Sequence, residues 1–485
     1  MQRLGGMDAS FLYGETATYP THVVGILIFD PTDRPDGFTF DHFKEIVRSR
    51  LHLMPMLRQR VLEVPFNLDN PVAIDDPDFN LDNHLHHAAV PSPGTRRDLA
   101  DLVGEIASHR IDRRRPLWEM WLLEGLDDGS VALCTKIHHA MIDGATGADL
   151  MPHLLDLEPG DITPPPPEHP WVPDQVPSDL DLARDAVADR LRDPLRGVHR
   201  IARTGRTMVE MGLGMLGVGT EEKLHPAAPF TSPRTVLNDP ISSRRLVAIA
   251  QAPLEDFKYV KNVFGTTVND VVLAATSVAL RKYLLRHDDL PERSLVVSVP
   301  VSVHGDAAAG TNQVSNMFVR LPVDLDDPIE QLMAIRVDTR EAKAVHNAMG
   351  ANLIADMSQM VPPGLYNLGM RLMSDSRVAG LLPPVQSAVV SNVPGPPIPM
   401  YFGGARVTGV FPFGPLIEGS GINITVLSNM GNMDIGVIAC RDTTPDVWDI
   451  GQGIVDAVTE LRKLAEERSR SAATTPADDA RPASN

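Results

Sequence analysis

Basic residues are scarce. The 485-residue chain carries 44 Lys and Arg against 63 Asp and Glu, a formal net charge of −19. Most of such a surface repels a polyanion, which argues against a nucleic-acid partner. A local basic patch could still meet an anionic membrane. Cysteine is nearly absent: Cys134 and Cys440 are the only two, too few for a disulfide framework and without the Cys-x-x-Cys spacing of a zinc site. That usage fits a reducing cytoplasm. No run of about 18 apolar residues, the length that spans a bilayer, occurs anywhere. The opening MQRLGGMDASFLYGE lacks the charged-then-apolar pattern of a secretory leader. The expectation is a cytoplasmic protein whose membrane contact is peripheral, on the inner face of the plasma membrane or on lipid droplets. Also missing is a Gly-x-Ser-x-Gly nucleophile elbow. GLGMLGVG and GPLIEGSG match neither the dinucleotide nor the phosphate-loop glycine pattern.

What is present reads as an α/β protein. The hydrophobic content of 43% and charged content of 22% are those of an ordinary globular chain, and its length suggests two domains of roughly 200 residues each. His22 to Phe29, Pro116 to Leu123 and Val131 to Ile137 read as strands; Phe40 to Leu53 and about 145 to 156 read as helices. From Glu158 the segment EPGDITPPPPEHPWVPDQVP is too proline-rich for either element and reads as a linker. Arg190, Arg192, Arg196, Arg200, Arg203 and Arg206 follow on a helical spacing opposite Leu191, Leu195, Val198 and Ala202. Such a basic amphipathic stretch either lies on an anionic lipid surface or is a crossover helix with solvated arginines. The α/β pattern resumes near Ile241, with a helix over Val268 to Leu285, strands in LVVSVPVSV, MFVRLPVDL, SAVVSNV, INITVLSN and MDIGVIA, and a closing helix from Trp448 to Arg468. The expected division is an N-terminal domain at 1–157, a linker with basic helix at 158–240, a C-terminal domain at 241–468 and a disordered tail at 469–485.

The chemistry concentrates in KIHHAMIDGATG, at a strand-to-helix junction where α/β proteins expose side chains to a cleft. In an extended strand Val131, Leu133, Thr135, Ile137 and His139 share one face, and Ala132, Cys134, Lys136 and His138 the other. The two imidazoles then point in opposite directions, and one of them faces a given substrate passage. Asp143-Gly144 is a tight-turn dipeptide whose carboxylate folds back to hold the loop. Imidazole is the side chain best poised to take a proton near neutral pH, so an alcohol attacking an already activated thioester needs no covalent acyl-enzyme. A bare His-His pair is more often a set of core or turn residues. The full His-His-x-x-x-Asp-Gly at a strand end is far more specific. His84, His86 and His87 in DNHLHH lack complementary Cys or Glu ligands, are read as exposed polar groups, and are assigned no metal.

HHAMIDG resembles the active-site signature of the coenzyme A-dependent acyltransferase superfamily. MDASFLYGET, DRRRPLWEMW, TVNDVVLAA, NQVSNMFVRLP, SNVPGPP and GINITVLS, in order along nearly the whole chain, are similar to segments of the bacterial wax ester synthase/diacylglycerol acyltransferase family. The resemblance implies two chloramphenicol-acetyltransferase-like domains, each a mixed sheet flanked by helices, with a tunnel between them. It implies His139 as the general base, His138 as its support, Asp143 as a structural anchor and Gly144 as the residue that keeps the tunnel open. Pro116, Leu117 and Trp118 are read as a buried strand anchor. Asn269 either donates a hydrogen bond to the reaction's oxyanion or caps a helix, and Asp270 beside it is placed with the substrate-binding residues. The implied reaction moves an acyl group from acyl-CoA, a co-substrate, to diacylglycerol or a long-chain alcohol, with no bound cofactor. Two other readings remain: a condensation-type transferase taking its acyl group from a carrier protein, and a non-catalytic lipid-binding protein.

Overall fold

The computed structural model describes residues 1–32, 34, 37–141, 150–192, 227–302, 314–349 and 383–474. A small sheet of β1 (Gln2–Arg3), β3 (Gln59–Leu62) and β4 (Val72–Asp75) has the order β1-β4-β3. The first large sheet takes β2 (His22–Asp30), β5 (Leu85–Ala89), β6 (Trp118–Glu124) and β7 (Val131–His138) from the N-terminal half. It is completed from far along the chain by β12 (Tyr401–Phe402) and β13 (Ala405–Phe413), in the order β12-β13-β2-β7-β6-β5. The second sheet holds β8 (Arg245–Pro253), β9 (Leu295–Ser302), β10 (Val314–Leu321), β11 (Ala388–Val393), β14 (Ile422–Asn429) and β15 (Asn432–Cys440), in the order β10-β9-β11-β14-β15-β8. Both sheets are mixed: β5 runs parallel to β6, and β11 runs parallel to β9 and β14.

Helices α1 (Gly6–Gly14), α2 (Phe40–Arg50), α3 (Arg96–Ser108) and α4 (Asp179–Arg192) belong to the first half, and α5 (Leu254–Phe264), α6 (Val268–Arg286), α7 (Pro328–Met349) and α8 (Val447–Thr474) to the second. A left-handed Gly265 ends α5, and its N–H bonds to the Lys261 carbonyl. Two residues later a capping box opens α6: Thr267 accepts from the Asp270 amide, and Asp270 accepts from the Thr267 amide. Val271 to Ala275 are fully buried in succession. An apolar stretch on every side of a helix marks a central core element. Among the described residues no single helix is long and apolar enough to cross a membrane.

A division at residue 240 therefore does not capture the sheets, because β13 leaves the C-terminal half to pair with β2. The two sheets also share one apolar core. Val24, Ile26 and Cys134 of the first sheet pack in the same cluster as Val247, Ile249 and Ile438 of the second, with Leu99 and Val103 of α3 between them. Asp434, fully buried on β15, fastens β13 in place. Its carboxylate accepts from the Val410 amide at 2.7 Å, Gln251 Nε2 at 2.7 Å and Asn429 Nδ2 at 2.9 Å. Three donors meet the acceptor capacity that burial would otherwise strand.

The expected disordered tail begins too early in the sequence reading, since α8 continues to Thr474; Ser469 and Ser471 hydroxyls bond back to carbonyls four residues earlier. Glu158 to Pro177 contains neither helix nor strand. Arg190 and Arg192 fall in α4, while Arg196, Arg200, Arg203 and Arg206 lie outside the described residues.

The β13–β15 crossing requires close approach. A Cβ on Gly436 would meet the Pro412 carbonyl oxygen at 2.5 Å and the Phe413 ring at 2.9 Å. Gly436→Ala is expected to cost about 1–3 kcal/mol, the range for overpacking, read as a lowered urea midpoint. Gly451→Ala, where the added carbon meets Ala248 at an ordinary 3.5 Å, is expected to be neutral or mildly stabilising. Equal behaviour of the two variants contradicts the steric account.

Candidate active site

The alternation expected along β7 is observed. Leu133 and Ile137 join the core cluster with Phe29 and Trp118, whereas Ala132 and Cys134 join the one facing α3. The strand ends at His138, opposite His22 of β2, and His139 enters a turn closed by the Met141 amide on the His138 carbonyl at 2.9 Å.

His138 is sealed, with 1% of its surface exposed. The Ala140 amide donates to its Nδ1 at 3.1 Å, so that nitrogen keeps its lone pair and the proton resides on Nε2. Nε2–H then donates to Thr21 Oγ1 at 2.9 Å, and the Thr21 hydroxyl donates to the Phe11 carbonyl at 3.0 Å. Burial above all, then the charge of Arg113, holds the His138 pKa well below the usual imidazole value. A neutral ring with its lone pair already engaged cannot serve as the base.

His139 is placed differently. Its amide donates to the Thr21 carbonyl at 2.8 Å. Its ring is half-buried and lies flat on Phe11, with centroids 3.9 Å apart and planes 21° from parallel. Stacking covers a face of the imidazole, and Nδ1 on its edge is buried. The turn is supported from α1: Leu12 packs with Leu117 and Ala140, and Phe11 and Met141 border the same cluster.

An ion pair between buried Glu15 and partly exposed Arg113 anchors α1. Glu15 Oε2 accepts from Arg113 Nε at 2.8 Å and Nη2 at 2.7 Å, and Arg113 also donates to the Leu12 carbonyl at 2.6 Å. The second Glu15 oxygen stands 3.8 Å from His138 Nε2. Lys136, two residues before His138 on the same face, is 1% exposed and pairs with Glu119 at 3.3 Å; burial lowers its pKa.

Asp143 and Gly144 lie outside the described residues. Trp118 is the expected anchor, 1% exposed, its indole N–H donating to the Leu57 carbonyl at 2.6 Å. Asn269 is not a helix cap, because Thr267 holds that position. It occupies the second position of α6, half-buried, and its amide makes no hydrogen bond among the described residues. Asp270 is corrected from substrate contact to structure: 3% exposed, it closes the capping box through Oδ2 and accepts from Thr339 through Oδ1 at 2.8 Å. Two of the DNHLHH histidines are corrected as well, whereas His87 is exposed as expected. His84 is 2% exposed, stacks on Trp118 at 4.5 Å and bonds the Trp118 carbonyl, while His86 stacks on Trp121 at 4.3 Å. Phe11, Thr21, Glu15 and Arg113 escape sequence reasoning. Glu15 and Arg113 have one signal, a charge beside the apolar residues of MDASFLYGE and DRRRPLW, and Phe11 and Thr21 have none.

Comparison with known proteins bears on this site. Residues 4–272 match the family model for the wax ester synthase/diacylglycerol acyltransferase catalytic domain, and residues 310–462 match that family's C-terminal domain. A Mycobacterium tuberculosis protein named as a candidate diacylglycerol O-acyltransferase is 37% identical over 470 residues, covering 96% of this chain and 91% of its own. A second from the same organism is 34% identical over 468 residues, covering 96% and 97%. Among solved structures, the wax ester synthase/diacylglycerol acyltransferase of Marinobacter aquaeolei superposes with a TM-score of 0.69 at 27% identity, covering 96% of this chain and all of that one. The starter condensation domain of a rhizomide synthetase shares the fold, with a TM-score of 0.50 at 13% identity over 96% and 94% of the two chains.

The buried histidines make stability depend on pH. Burial, then the nearby Lys136 charge, pushes His22 down to about 3, and His138 is lowered too. Above the ordinary imidazole pKa of about 6.5 both rings are neutral whether folded or unfolded. Below it the unfolded chain binds protons that the folded chain refuses. Stability is therefore expected to fall as pH drops from about 6.5, by up to about 1.4 kcal/mol per pH unit per histidine. His22→Gln should make the fall shallower by one proton, measured as urea midpoints between pH 7 and 5; identical slopes would contradict this account.

Proposed function

The chain belongs to the wax ester synthase/diacylglycerol acyltransferase family, and from that premise we propose that it transfers an acyl group from acyl-CoA to diacylglycerol or a long-chain alcohol, with His139 as general base. The observation that carries this reading is the contrast between two adjacent histidines: His138 is sealed and locked as a neutral donor, whereas His139 is only partly buried just beyond the strand. The chemistry follows in two steps. As the alcohol oxygen bonds to the thioester carbonyl carbon, a ring nitrogen of His139 takes the hydroxyl proton. The tetrahedral oxyanion then collapses, the carbon–sulfur bond breaks, and the imidazolium returns the proton to the departing thiolate. Proton transfer by a positioned side chain is typically worth 10²–10⁴-fold in rate.

Asn269 is the proposed oxyanion donor. Its amide is half-buried and uncommitted, and freed from the capping role that Thr267 fills. Asp143 is the proposed anchor of the turn, and Gly144 keeps the passage beside it clear. Coenzyme A enters and leaves as part of the donor, so no bound cofactor is invoked. Diacylglycerol and long-chain alcohols barely dissolve in water. The enzyme therefore meets them at a surface, the cytoplasmic face of a membrane or a lipid droplet, and the arginines from Arg190 to Arg206 supply charge suited to anionic lipid.

Purified protein given acyl-CoA and diacylglycerol, or a panel of alcohols, should release free thiol and yield the ester. His139→Ala should lose at least about 10²-fold in kcat, and Asn269→Ala about 10²-fold, with unchanged thermal melts. Parental turnover by His139→Ala would refute the base assignment. Thiol release with a carrier-loaded acyl group alone would favour the condensation-type reading.

A further inference from the structure

We infer that Phe11 and Thr21 form a clamp that positions the His139 base, an assignment that rests on the general-base reading above. The contacts close on themselves. Thr21 holds both histidines of the motif: its carbonyl accepts the His139 amide at 2.8 Å, and its hydroxyl accepts Nε2–H of His138 at 2.9 Å. The same hydroxyl passes its own proton to the Phe11 carbonyl at 3.0 Å, and the Phe11 ring returns to lie on the His139 ring at 3.9 Å. One circuit thus runs from the imidazole plane through Phe11 and Thr21 back to the backbone of the imidazole's own residue. Thr21 is fully buried, so water cannot replace its hydroxyl.

Each member controls a different degree of freedom. The Thr21 carbonyl fixes where the His139 backbone leaves the strand. The Thr21 hydroxyl receives the Nε2 proton of His138, and the Ala140 amide bond to His138 Nδ1 sets that tautomer and shapes the turn. The stacked Phe11 ring limits rotation of the imidazole, so the nitrogen that takes the proton stays aimed along one line. A catalytic group displaced by about 1 Å can lose 10²-fold in rate, and small errors in these bonds translate directly into such displacement. Glu15 and Arg113 hold the C-terminal end of α1 against the same layer, so Phe11 cannot drift from the ring it covers.

The test uses the full-length enzyme. Thr21→Val preserves shape and removes the hydroxyl; Phe11→Leu preserves apolar volume and removes the flat face. Both should lower kcat for thiol release at least tenfold, leave KM for acyl-CoA within twofold, and melt within a few degrees of the parent. Thr21→Ser should recover kcat to within threefold of the parent. Long-range nitrogen–proton NMR on histidine-labelled protein adds a readout independent of turnover: His138 is expected as the Nε2–H tautomer in the parent, with the Nε2–H resonance shifted in Thr21→Val, where its acceptor is lost. Parental kcat in both Thr21→Val and Phe11→Leu, with His139→Ala inactive, would overturn the clamp alone. An active His139→Ala would instead overturn the base reading on which the clamp rests. Failure of Thr21→Ser to restore rate would assign the Thr21→Val loss to packing and also overturn the clamp.

Discussion

The geometry of the site depends on one hydrogen bond that a sealed histidine accepts. Because the Ala140 amide occupies Nδ1 of His138, the proton of that ring must be on Nε2, where Thr21 receives it. The first histidine of the motif becomes a structural part with a defined proton, and the second, half-buried just beyond the strand end, is the proposed base. Two chemically identical side chains, adjacent in sequence, are thus separated into roles by burial and by the partners each meets. The cost of stranding a buried donor or acceptor, about 1–3 kcal/mol, keeps the arrangement in register.

The surrounding architecture makes that arrangement rigid. Strand β7, which leads to the proposed base, lies between β2 and β6, inside a sheet completed by residues 401–413 from the other half of the chain. Buried Asp434 pins this crossing strand to the second sheet, and α3 packs against β8, where the Arg245 amide donates to Ser108 and the Arg245 guanidinium to the Thr18 carbonyl. Thr18 lies three residues before Thr21. The second sheet therefore reaches the segment that holds both histidines, and the two halves of the molecule position one turn together.

Much of this was legible in the sequence wherever a local rule governs. Period-two apolar stretches at His22, Val131 and Ile422 became strands, and the apolar stretch after Thr267 became the central helix. HHAMIDG marked the strand end where the proposed base sits. What escaped is long-range. The segment Ala405 to Phe413 contains Gly409 and Pro412, which argue against a strand. It is one because β12 pairs only with its first residues, leaving Pro412 outside that ladder and against β15, and a register shift near Gly409 absorbs the irregularity. His84 looked like an exposed polar residue, but it stacks on Trp118 and bonds that residue's carbonyl. Phe11 and Thr21 lie more than a hundred residues from His139, and no spacing rule links them. Asn269 looked like a cap because the true cap, Thr267, precedes it by two residues in a sequence rich in capping types.

The central claim is that a neutral imidazole at position 139 accepts the alcohol proton. The direct measurement is kcat/KM for acyl-CoA against pH at a fixed alcohol concentration. Rate should fall with unit slope on the acid side, as His139 becomes protonated before it can act. A profile that stays flat from neutrality down to the pH at which the protein unfolds would contradict the account.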